Sequence, residues 1–285
     1  MKKIKAEWCE RILAGMSIFE IERLIPMFLS VDAGNSNIVF GFNQDQSDSW
    51  DKVLRIETTK KLSVFQLERA LGIFFLENRM EPENVKHIGL STVVPDLKPI
   101  LMQCCINFFG VEPYFINGSS YEKLRVKTSN PDEIGTDLMA NITAAYDCFG
   151  DACIVVDFGT ALTFSIVDKT GKVIGINIVP GIKTAINSLF TDTARLPKVS
   201  LEMPPSVLGK DTVHAIQAGI FYGYTGLVRG MLHAIEAETQ TKFKVIATGG
   251  LSAVMQHLTG EFAMVDVNLT LKGIQQITLI NRKKG

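Results

Sequence analysis

The sequence lacks the features that mark exported, metal-clustered or membrane-spanning proteins. Its five cysteines are odd in number and form no C-x-x-C pair, which argues against a disulfide framework or a zinc site. No apolar run approaches the roughly 18 residues of a membrane span, and the four histidines show no metal-ligand spacing. We therefore expect reduced thiols and a cytoplasmic location.

Charge of one sign is also missing, since the formal net charge is −1. Non-specific nucleic-acid binding needs a concentrated basic surface, so neither a nucleic acid nor a membrane is an expected partner. Lys2, Lys3 and Lys5 resemble the start of a signal peptide, but acidic residues interrupt the following stretch and argue against export. Residues 1–26 have helical apolar spacing that ends at Pro26, and we interpret them as an N-terminal helical extension. A docking helix is the alternative, and Met27 is an alternative natural start.

Two stretches of the chain share one pattern: an apolar strand, an Asp-x-Gly turn and a second apolar strand. Residues 154–164 read Ile-Val-Val-Asp-Phe-Gly-Thr-Ala-Leu-Thr-Phe, and residues 28–36 read Phe-Leu-Ser-Val-Asp-Ala-Gly-Asn-Ser. An offset of 125 residues places Asp32 on Asp157 and Gly34 on Gly159, and both copies continue into a return strand. This period indicates duplicated domains rather than a solenoid, whose repeats are about 20–50 residues long. We predict domains at 27–149 and 150–285.

Strand and helix patterns alternate between and after these copies, which favours α/β sheets. The predicted helices include Val64–Asn78, where Leu67, Leu71, Phe74 and Phe75 recur at helical spacing, Leu97–Phe109 and Leu251–Leu258. The sequence Asn130-Pro131-Asp132-Glu133 has the composition of a helix start, so we predict a helix from there to about Phe149. Asp137 would then lie about one and a half turns into a rigid helix.

The two hairpins have the chemistry of a phosphate and cation site. Backbone N–H groups at an Asp-x-Gly turn can bind phosphate oxygens, and the two aspartates can hold cations. Gly249 and Gly250, at a strand-to-helix turn, offer backbone against which an adenine can lie. Each motif by itself is also compatible with an ordinary turn.

Taken together, these motifs resemble the actin, sugar-kinase and heat-shock-chaperone ATPase superfamily. Within it the chain closely resembles the type III pantothenate kinases, from about Phe28 to Ile280. The motifs that carry the resemblance are Asp32-Ala-Gly-Asn-Ser36, Gly135-Thr-Asp137, Asp157-Phe-Gly-Thr-Ala161 with Thr163, Ile178-Val-Pro-Gly181, Thr193-Ala-Arg-Leu-Pro197, Gly209 with Thr212, Ala218-Gly219 and Ala247-Thr-Gly-Gly-Leu251. The resemblance implies an α/β fold of two ribonuclease-H-like domains, each a mixed sheet flanked by helices, with an ATP cleft between them.

The activity implied by the resemblance is ATP-dependent phosphorylation of pantothenate to 4'-phosphopantothenate, the first step of coenzyme A biosynthesis. Asp137 would be the general base, Asp32 would organise Mg²⁺ through water, and Asp157 would bind a monovalent cation, K⁺ or NH₄⁺. The implied nucleotide-binding residues are Asp32, Gly34, Asn35, Ser36, Gly159, Thr160, Thr163, Gly249 and Gly250. Gly135, Thr136 and Thr193 would help to bind pantothenate in a pocket at a homodimer interface.

The chain departs from the family pattern at Leu138, where an Arg is expected beside the base. This difference leaves open a degenerate member of the family that binds nucleotide with weak or no turnover. A kinase for another hydroxylated acid is a third reading. The motif Gly175-Ile176 also replaces the usual Gly-Gly, which brings a bulky side chain into the return strand.

Overall fold

The computed structural model describes residues 25–44, 50, 52–193, 195–252, 255 and 260–282. The predicted extension at 1–26, apart from its last two residues, and most of the helix predicted at 251–258 lie outside the described residues. The strands are β1 (Met27–Ala33), β2 (Asn37–Gln44), β3 (Lys52–Glu57), β4 (Val85–Thr92), β5 (Tyr114–Phe115), β6 (Cys153–Phe158), β7 (Ala161–Val167), β8 (Val173–Pro180), β9 (Lys244–Thr248) and β10 (Met264–Val265). The α-helices are α1 (Val64–Glu77), α2 (Leu97–Phe109), α3 (Thr136–Phe149), α4 (Ile182–Thr191), α5 (Thr212–Thr239) and α6 (Leu269–Arg282).

The strands form two mixed five-stranded sheets with one shared topology. The first sheet has the order β3-β2-β1-β4-β5 and the second has the order β8-β7-β6-β9-β10. In each sheet the three strands that are consecutive in the chain, β1–β3 or β6–β8, pair antiparallel. The first of them pairs in parallel with β4 or β9, which in turn pairs in parallel with β5 or β10. The duplication predicted from the two Asp-x-Gly hairpins is therefore present in the backbone, and the α/β class with two mixed sheets flanked by helices is confirmed.

Local sequence explains where several helices begin and which side they bury. Ser63 and Gln66 form a reciprocal capping box at the start of α1, whose apolar residues Leu67, Leu71 and Phe75 recur every four positions and are buried. Asp211 caps α5 by accepting a hydrogen bond of 2.9 Å from the backbone N–H of His214. The apolar face of α1 packs with α2 against the first sheet, and α4 and α5 pack against the second.

The start of α3 corrects a prediction. The helix begins at Thr136, and the segment 131–134 forms turns, so Asp137 lies in the first turn of α3 and not one and a half turns inside it. The Asn130 side chain donates a hydrogen bond of 2.8 Å to Glu133, while Glu133 N–H donates to the Asn130 carbonyl at 3.2 Å. The predicted capping residues thus stabilise a local turn, and the flexible Gly135 separates this turn from the helix.

The described contacts divide the chain into two compact units. The first comprises the described residues up to Ser120, Gly135–Asp137, and the described residues from Ile274 onward; the second comprises Tyr121–Ile134 and the described residues of Leu138–Gly273. The boundaries of these units differ from the predicted domain boundary, because most of α3 belongs to the second unit and the end of α6 belongs to the first. The ranges 27–149 and 150–285 stay a prediction. None of the helices in the described ranges is long and apolar enough to cross a membrane.

Candidate functional site

Asp32 lies near the end of β1, where neighbouring strands place two side chains beside it. Its register partners are Val39 on β2 and Ser91 on β4, and we call these three residues the Asp32 row. Side chains in register on adjacent strands point to the same face of a sheet, so the Asp32 carboxylate and the Ser91 hydroxyl share one face. Ser91 is fully buried and Asp32 is half-buried.

The turn after β1 is held by two hydrogen bonds to Gly34. Its N–H donates to the Asn37 carbonyl at 2.9 Å, and its carbonyl accepts from the Thr58 hydroxyl at 2.8 Å. A Cβ on Gly34 would meet only the Asn37 carbonyl oxygen, at an ordinary 3.6 Å. The packing of the fold therefore leaves room for a side chain at this position. Asn35 and Ser36 are exposed at the tip of the turn.

The start of α3 joins this sheet through the residue next to Asp137. The Thr136 hydroxyl lies 2.7 Å from the hydroxyl of Ser91, in the Asp32 row. Asp137 follows in the first turn, where the helix dipole favours a negative charge. A Cβ on Gly135 would lie 2.5 Å from Asp137 Oδ1, so a side chain at 135 would displace the carboxylate. All these residues belong to the first unit, and the structure brings Asp32, Gly135, Thr136 and Asp137 together.

Asp157 occupies the equivalent position on β6 in the second unit. Its register partners are Thr163 on β7 and Thr248 on β9, and we call these three residues the Asp157 row. Asp157 Oδ2 accepts a hydrogen bond of 3.0 Å from the Asn141 amide. The side chains of Thr163 and Thr248 are buried, yet their hydroxyl oxygens have no hydrogen-bond partner among the residues that the structure describes.

Such unpartnered hydroxyls are uncommon in protein interiors and require an explanation. A carboxylate between two buried hydroxyl oxygens is a set of hard oxygen donors, the kind that alkali and alkaline-earth cations prefer. The residues present therefore fit a bound cation at the Asp157 row. Thr248 was not among the predicted site residues.

The turn between β6 and β7 is fixed by the start of α4. Gly181 N–H and the Thr184 hydroxyl donate to the Thr160 carbonyl at 3.0 Å and 2.7 Å. A Cβ on Gly181 would lie 2.4 Å from the carbonyl oxygens of Gly159 and Thr160. This close packing holds Gly159 and the exposed Thr160 beside Asp157, whose Oδ1 would lie 3.5 Å from a Cβ on Gly159.

Gly249 and Gly250 follow β9 but have different surroundings. Gly249 has a φ of +90°, and a Cβ there would lie 2.4 Å from Asp157 Oδ1 and 2.7 Å from Phe158 backbone atoms. Gly250 is exposed, and a Cβ there would meet nothing within 4 Å. Sequence reasoning gave both glycines one role, whereas the structure places Gly249 against the Asp157 carboxylate.

The other predicted residues lie further along the second unit. The exposed Thr193 follows α4, where its hydroxyl donates to the Leu189 carbonyl at 2.6 Å, so it has a local capping partner. Leu138 is half-buried in the first turn of α3. Ile176 is half-buried on β8, an edge strand of the second sheet, and this edge position accommodates the bulky side chain.

Sequence reasoning missed three residues of these rows and their surroundings: Ser91, Thr248 and Asn141. Ser91 and Thr248 become neighbours of the aspartates only through parallel pairing of strands that are distant in sequence. Asn141 reaches Asp157 from the second turn of α3, and a correct helix start would have placed it one turn beyond Asp137.

Solved structures with the same fold support this architecture. A Campylobacter jejuni protein, described as a conserved member of a Baf family of transcriptional activators, superposes with a TM-score of 0.53 and 22% identity; the match covers 90% of this chain and 99% of that one. The ADPNP-bound activator of 2-hydroxyisocaproyl-CoA dehydratase from Clostridium difficile gives 0.51 and 8%, with 90% and 97% coverage. At these identities the likeness concerns the fold alone.

Sequence comparison identifies the family. The chain is 36% identical over 256 residues to the type III pantothenate kinase of Anaeromyxobacter dehalogenans (strain 2CP-C), a match that covers 90% of this chain and all of the relative. The family model for type III pantothenate kinases matches residues 28–234. This range contains the Asp32 row, the start of α3 and, except for Thr248, the Asp157 row. The chain therefore belongs to the type III pantothenate kinase family.

Proposed function

We propose that this protein transfers the γ-phosphoryl group of ATP to pantothenate, forming 4'-phosphopantothenate in the first step of coenzyme A biosynthesis. The family supplies the substrate class. Within the molecule, the observation that carries the proposal is the hydrogen bond between Ser91 and Thr136. Ser91 lies on β4 directly beside Asp32 of β1, and Thr136 starts the helix that bears Asp137. The carboxylate proposed to organise the phosphates, Asp32, and the proposed base, Asp137, are therefore connected through β4 and the start of α3.

Asp137 acts in this proposal as the general base. Its carboxylate takes the proton from the primary hydroxyl of pantothenate as that oxygen attacks the γ-phosphorus. Phosphoryl transfer depends on positioning and charge neutralisation more than on covalent chemistry. Two observations support this role: the Ser91 bond fixes the helix start next to Asp137, and the missing side chain of Gly135 leaves the space that the Asp137 carboxylate occupies.

The two glycine turns bind the nucleotide. Asn35 and Ser36, which follow Gly34 at the exposed tip of the first turn, present polar groups to the phosphates. At the second hairpin the exposed Thr160 does so, with Gly159 and the buried Thr163 beside it. The space in front of Gly34, where an added Cβ would meet only the Asn37 carbonyl oxygen, supports this assignment. Gly250, which is exposed and has open space in front of it, faces the adenosine, with Gly249 beside it.

Two aspartates hold the cations. Asp32 holds Mg²⁺ through water, and Asp157 holds the monovalent cation, K⁺ or NH₄⁺, with the buried hydroxyls of Thr163 and Thr248 as further oxygen donors. The cations supply charge neutralisation at the phosphates. The unpartnered hydroxyl oxygens on both sides of Asp157 support the second assignment.

The pantothenate pocket includes Gly135, Thr136 and Thr193 and lies at a homodimer interface. Family membership supports this assignment, and light scattering at micromolar concentration tests the dimer, for which we expect the mass of two chains. The odd cysteine count without C-x-x-C pairs supports a reducing cytoplasm as the location. No observation favours the degenerate, non-catalytic alternative over turnover, although Leu138 lacks the charge of the expected Arg.

Pantothenate-dependent ADP formation by the purified protein tests the proposal. We expect turnover in K⁺ that falls in Na⁺, and a loss of about 10²–10⁴-fold in kcat for Asp137→Asn, the range for removal of a general base. Asp132→Asn is the matched control, because Asp132 is an exposed carboxylate in the turn that precedes the same helix.

Two results would contradict this assignment. A native protein that binds ATP but forms no ADP with pantothenate is not the proposed kinase. Full activity in Asp137→Asn would remove the base role while leaving the kinase activity in place.

A further inference from the structure

Asn141 is a buried polar residue that links three elements of the second unit. It lies on α3 and is 1% exposed. Its amide nitrogen donates to Asp157 Oδ2 on β6 at 3.0 Å, and its amide oxygen accepts from the Thr270 hydroxyl on α6 at 2.8 Å. Both hydrogen bonds connect side chains, so neither is needed to satisfy the backbone of a helix or strand.

The chemistry of the two partners fixes the orientation of the Asn141 amide. An ionised carboxylate only accepts hydrogen bonds, so the NH₂ group must face Asp157 and the amide oxygen must face Thr270. The Thr270 hydroxyl then donates to that oxygen. A turn of the amide by 180° would be unfavourable, because its oxygen would then face the Asp157 carboxylate, which has no hydrogen to donate. Thr270 therefore acts on Asp157 through Asn141.

The Asp157 carboxylate is restricted on its other side as well. Its Oδ1 lies against Gly249, in space that a Cβ on that residue would enter to within 2.4 Å, so the carboxylate packs beside the Gly249 backbone. One oxygen is tied by a charge-assisted hydrogen bond and the other is confined by backbone. The carboxylate plane is thereby set relative to the buried hydroxyls of Thr163 and Thr248.

We propose that Asn141 is a positioning residue that orients Asp157 for cation binding, and that the Thr270 hydroxyl holds the Asn141 amide in place for this task. This inference rests on the proposed role of Asp157 as the cation ligand. Groups that orient a metal ligand typically change metal affinity by about 10–100-fold when they are removed. The same hydrogen bonds explain why a polar residue occupies a buried position on α3, where an apolar residue would need no partner.

Cation binding in the variants tests the proposal by two measurements. One is the K⁺ concentration that gives half-maximal activity at saturating ATP and pantothenate. The other is the increase in thermal midpoint caused by K⁺, relative to Na⁺, in the presence of a non-hydrolysable ATP analogue, which reports binding without turnover. The variants are Asn141→Ala, Thr270→Val, Thr270→Ser and the double variant Asn141→Ala/Thr270→Val.

Each variant has a distinct expected outcome. Asn141→Ala should raise the half-activating K⁺ concentration about 10–100-fold, and Thr270→Val should raise it about fivefold, the size of one neutral hydrogen bond. Thr270→Ser, which retains the hydroxyl, should stay within about twofold of the native value. The double variant should equal Asn141→Ala, because Thr270 has no route to Asp157 once the amide is gone.

Thr278→Val is the matched control for Thr270→Val. It removes a buried hydroxyl from the same helix, but that hydroxyl donates to the Ile274 carbonyl and does not contact Asn141. We expect it to leave the K⁺ dependence unchanged. If Asn141→Ala fails to fold, the comparison of Thr270→Val with Thr270→Ser and Thr278→Val still decides the question.

Failure of this inference is distinguishable from failure of the proposed function. If Asp157→Asn removes the preference for K⁺ over Na⁺ but Asn141→Ala and Thr270→Val do not shift it, the positioning role is overturned. Equal shifts in Thr270→Val and Thr278→Val would overturn it too, since they would show a general packing effect. If Asp157→Asn itself leaves the K⁺ dependence unchanged, the cation role of Asp157 is wrong, and this inference with it.

Discussion

Gly249 and Gly250 provide a sharp test because they are adjacent, of one residue type, and differ in their surroundings. We consider alanine at each position. At Gly249 the added Cβ would lie 2.4 Å from Asp157 Oδ1 and 2.7 Å from the Phe158 backbone, on a residue with a φ of +90°. At Gly250 the same methyl group would enter open space.

The expected magnitudes follow from these two differences. A non-glycine residue in the left-handed region costs about 1–2 kcal/mol, and forced overlap with packed atoms costs about 1–3 kcal/mol. Gly249→Ala should therefore lose about 2–5 kcal/mol of unfolding free energy. At about 2–4 °C per kcal/mol for chains of this size, its thermal midpoint should fall by about 5–15 °C. Gly250→Ala should stay within about 0.5 kcal/mol of the native protein.

Thermal unfolding followed by circular dichroism measures the loss of stability. Steady-state kinetics of the folded variants measures the K⁺ dependence and the KM for ATP. Because the Cβ at 249 would displace Asp157 Oδ1, Gly249→Ala should also raise the half-activating K⁺ concentration at a temperature where it is folded. Gly250→Ala should change the KM for ATP without changing the thermal midpoint, since it alters only the surface proposed to face adenosine.

One pattern of results would refute the reasoning. If both variants unfold within about 2 °C of the native protein, the close contact of Gly249 with Asp157 and Phe158 does not constrain the fold. A lowered midpoint in Gly250→Ala alone would contradict the assignment of open space to that residue.

Three further predictions address other parts of the molecule. Gly34→Ala should keep the native thermal midpoint within about 2 °C but lower kcat/KM by about 10–100-fold, because its methyl group would face the nucleotide and not the protein. Burial alone would raise the pKa of Asp168, but the hydrogen bonds that this carboxylate accepts from Thr170 and Lys172 lower it below its usual range. The folded state therefore gains stability from Asp168 above the ordinary aspartate pKa of about 3.9, and loses it as pH falls through the lowered pKa. Thermal midpoints should show Asp168→Asn less stable than the native protein at pH 7, with the difference vanishing in acid; a constant difference would contradict this. Burial raises the pKa of Cys104 and Cys153 to about 12 and that of Cys105 further, so in a Cys9→Ser background a thiol reagent at pH 8 should label only the exposed Cys148 until urea unfolds the chain.

The sequence was informative wherever structure depends on residues close in the chain. The periodicity of Leu67, Leu71 and Phe75 predicted α1, and the bounds predicted for α2 agree with Leu97–Phe109. The two Asp-x-Gly hairpins predicted the duplicated topology, because strand, turn and return strand are consecutive. The order of strand, turn and return strand within each hairpin can be predicted from residues that are neighbours in the chain.

The start of α3 could not be predicted in this way. Asn130 and Glu133 have the local chemistry of a helix cap, but their side chains bond to each other across a turn. The true start at Thr136 depends on a hydrogen bond to Ser91, which is 45 residues away in sequence. Tertiary contact here overrides a local signal, as it often does for helix ends.

Comparison of the Asp32 row with the Asp157 row explains how duplicated backbones can take different tasks. In the Asp32 row the neighbour on β2 is apolar Val39, and the hydroxyl on β4 is occupied by Thr136 at the start of α3. In the Asp157 row both neighbours are threonines whose buried hydroxyls have no hydrogen-bond partner in the described part of the chain. The first row therefore uses its hydroxyl to position the helix that carries Asp137, whereas the second keeps its hydroxyl oxygens available to a ligand. This chemical difference, on strands of one shared topology, supports a base beside the first row and a cation at the second.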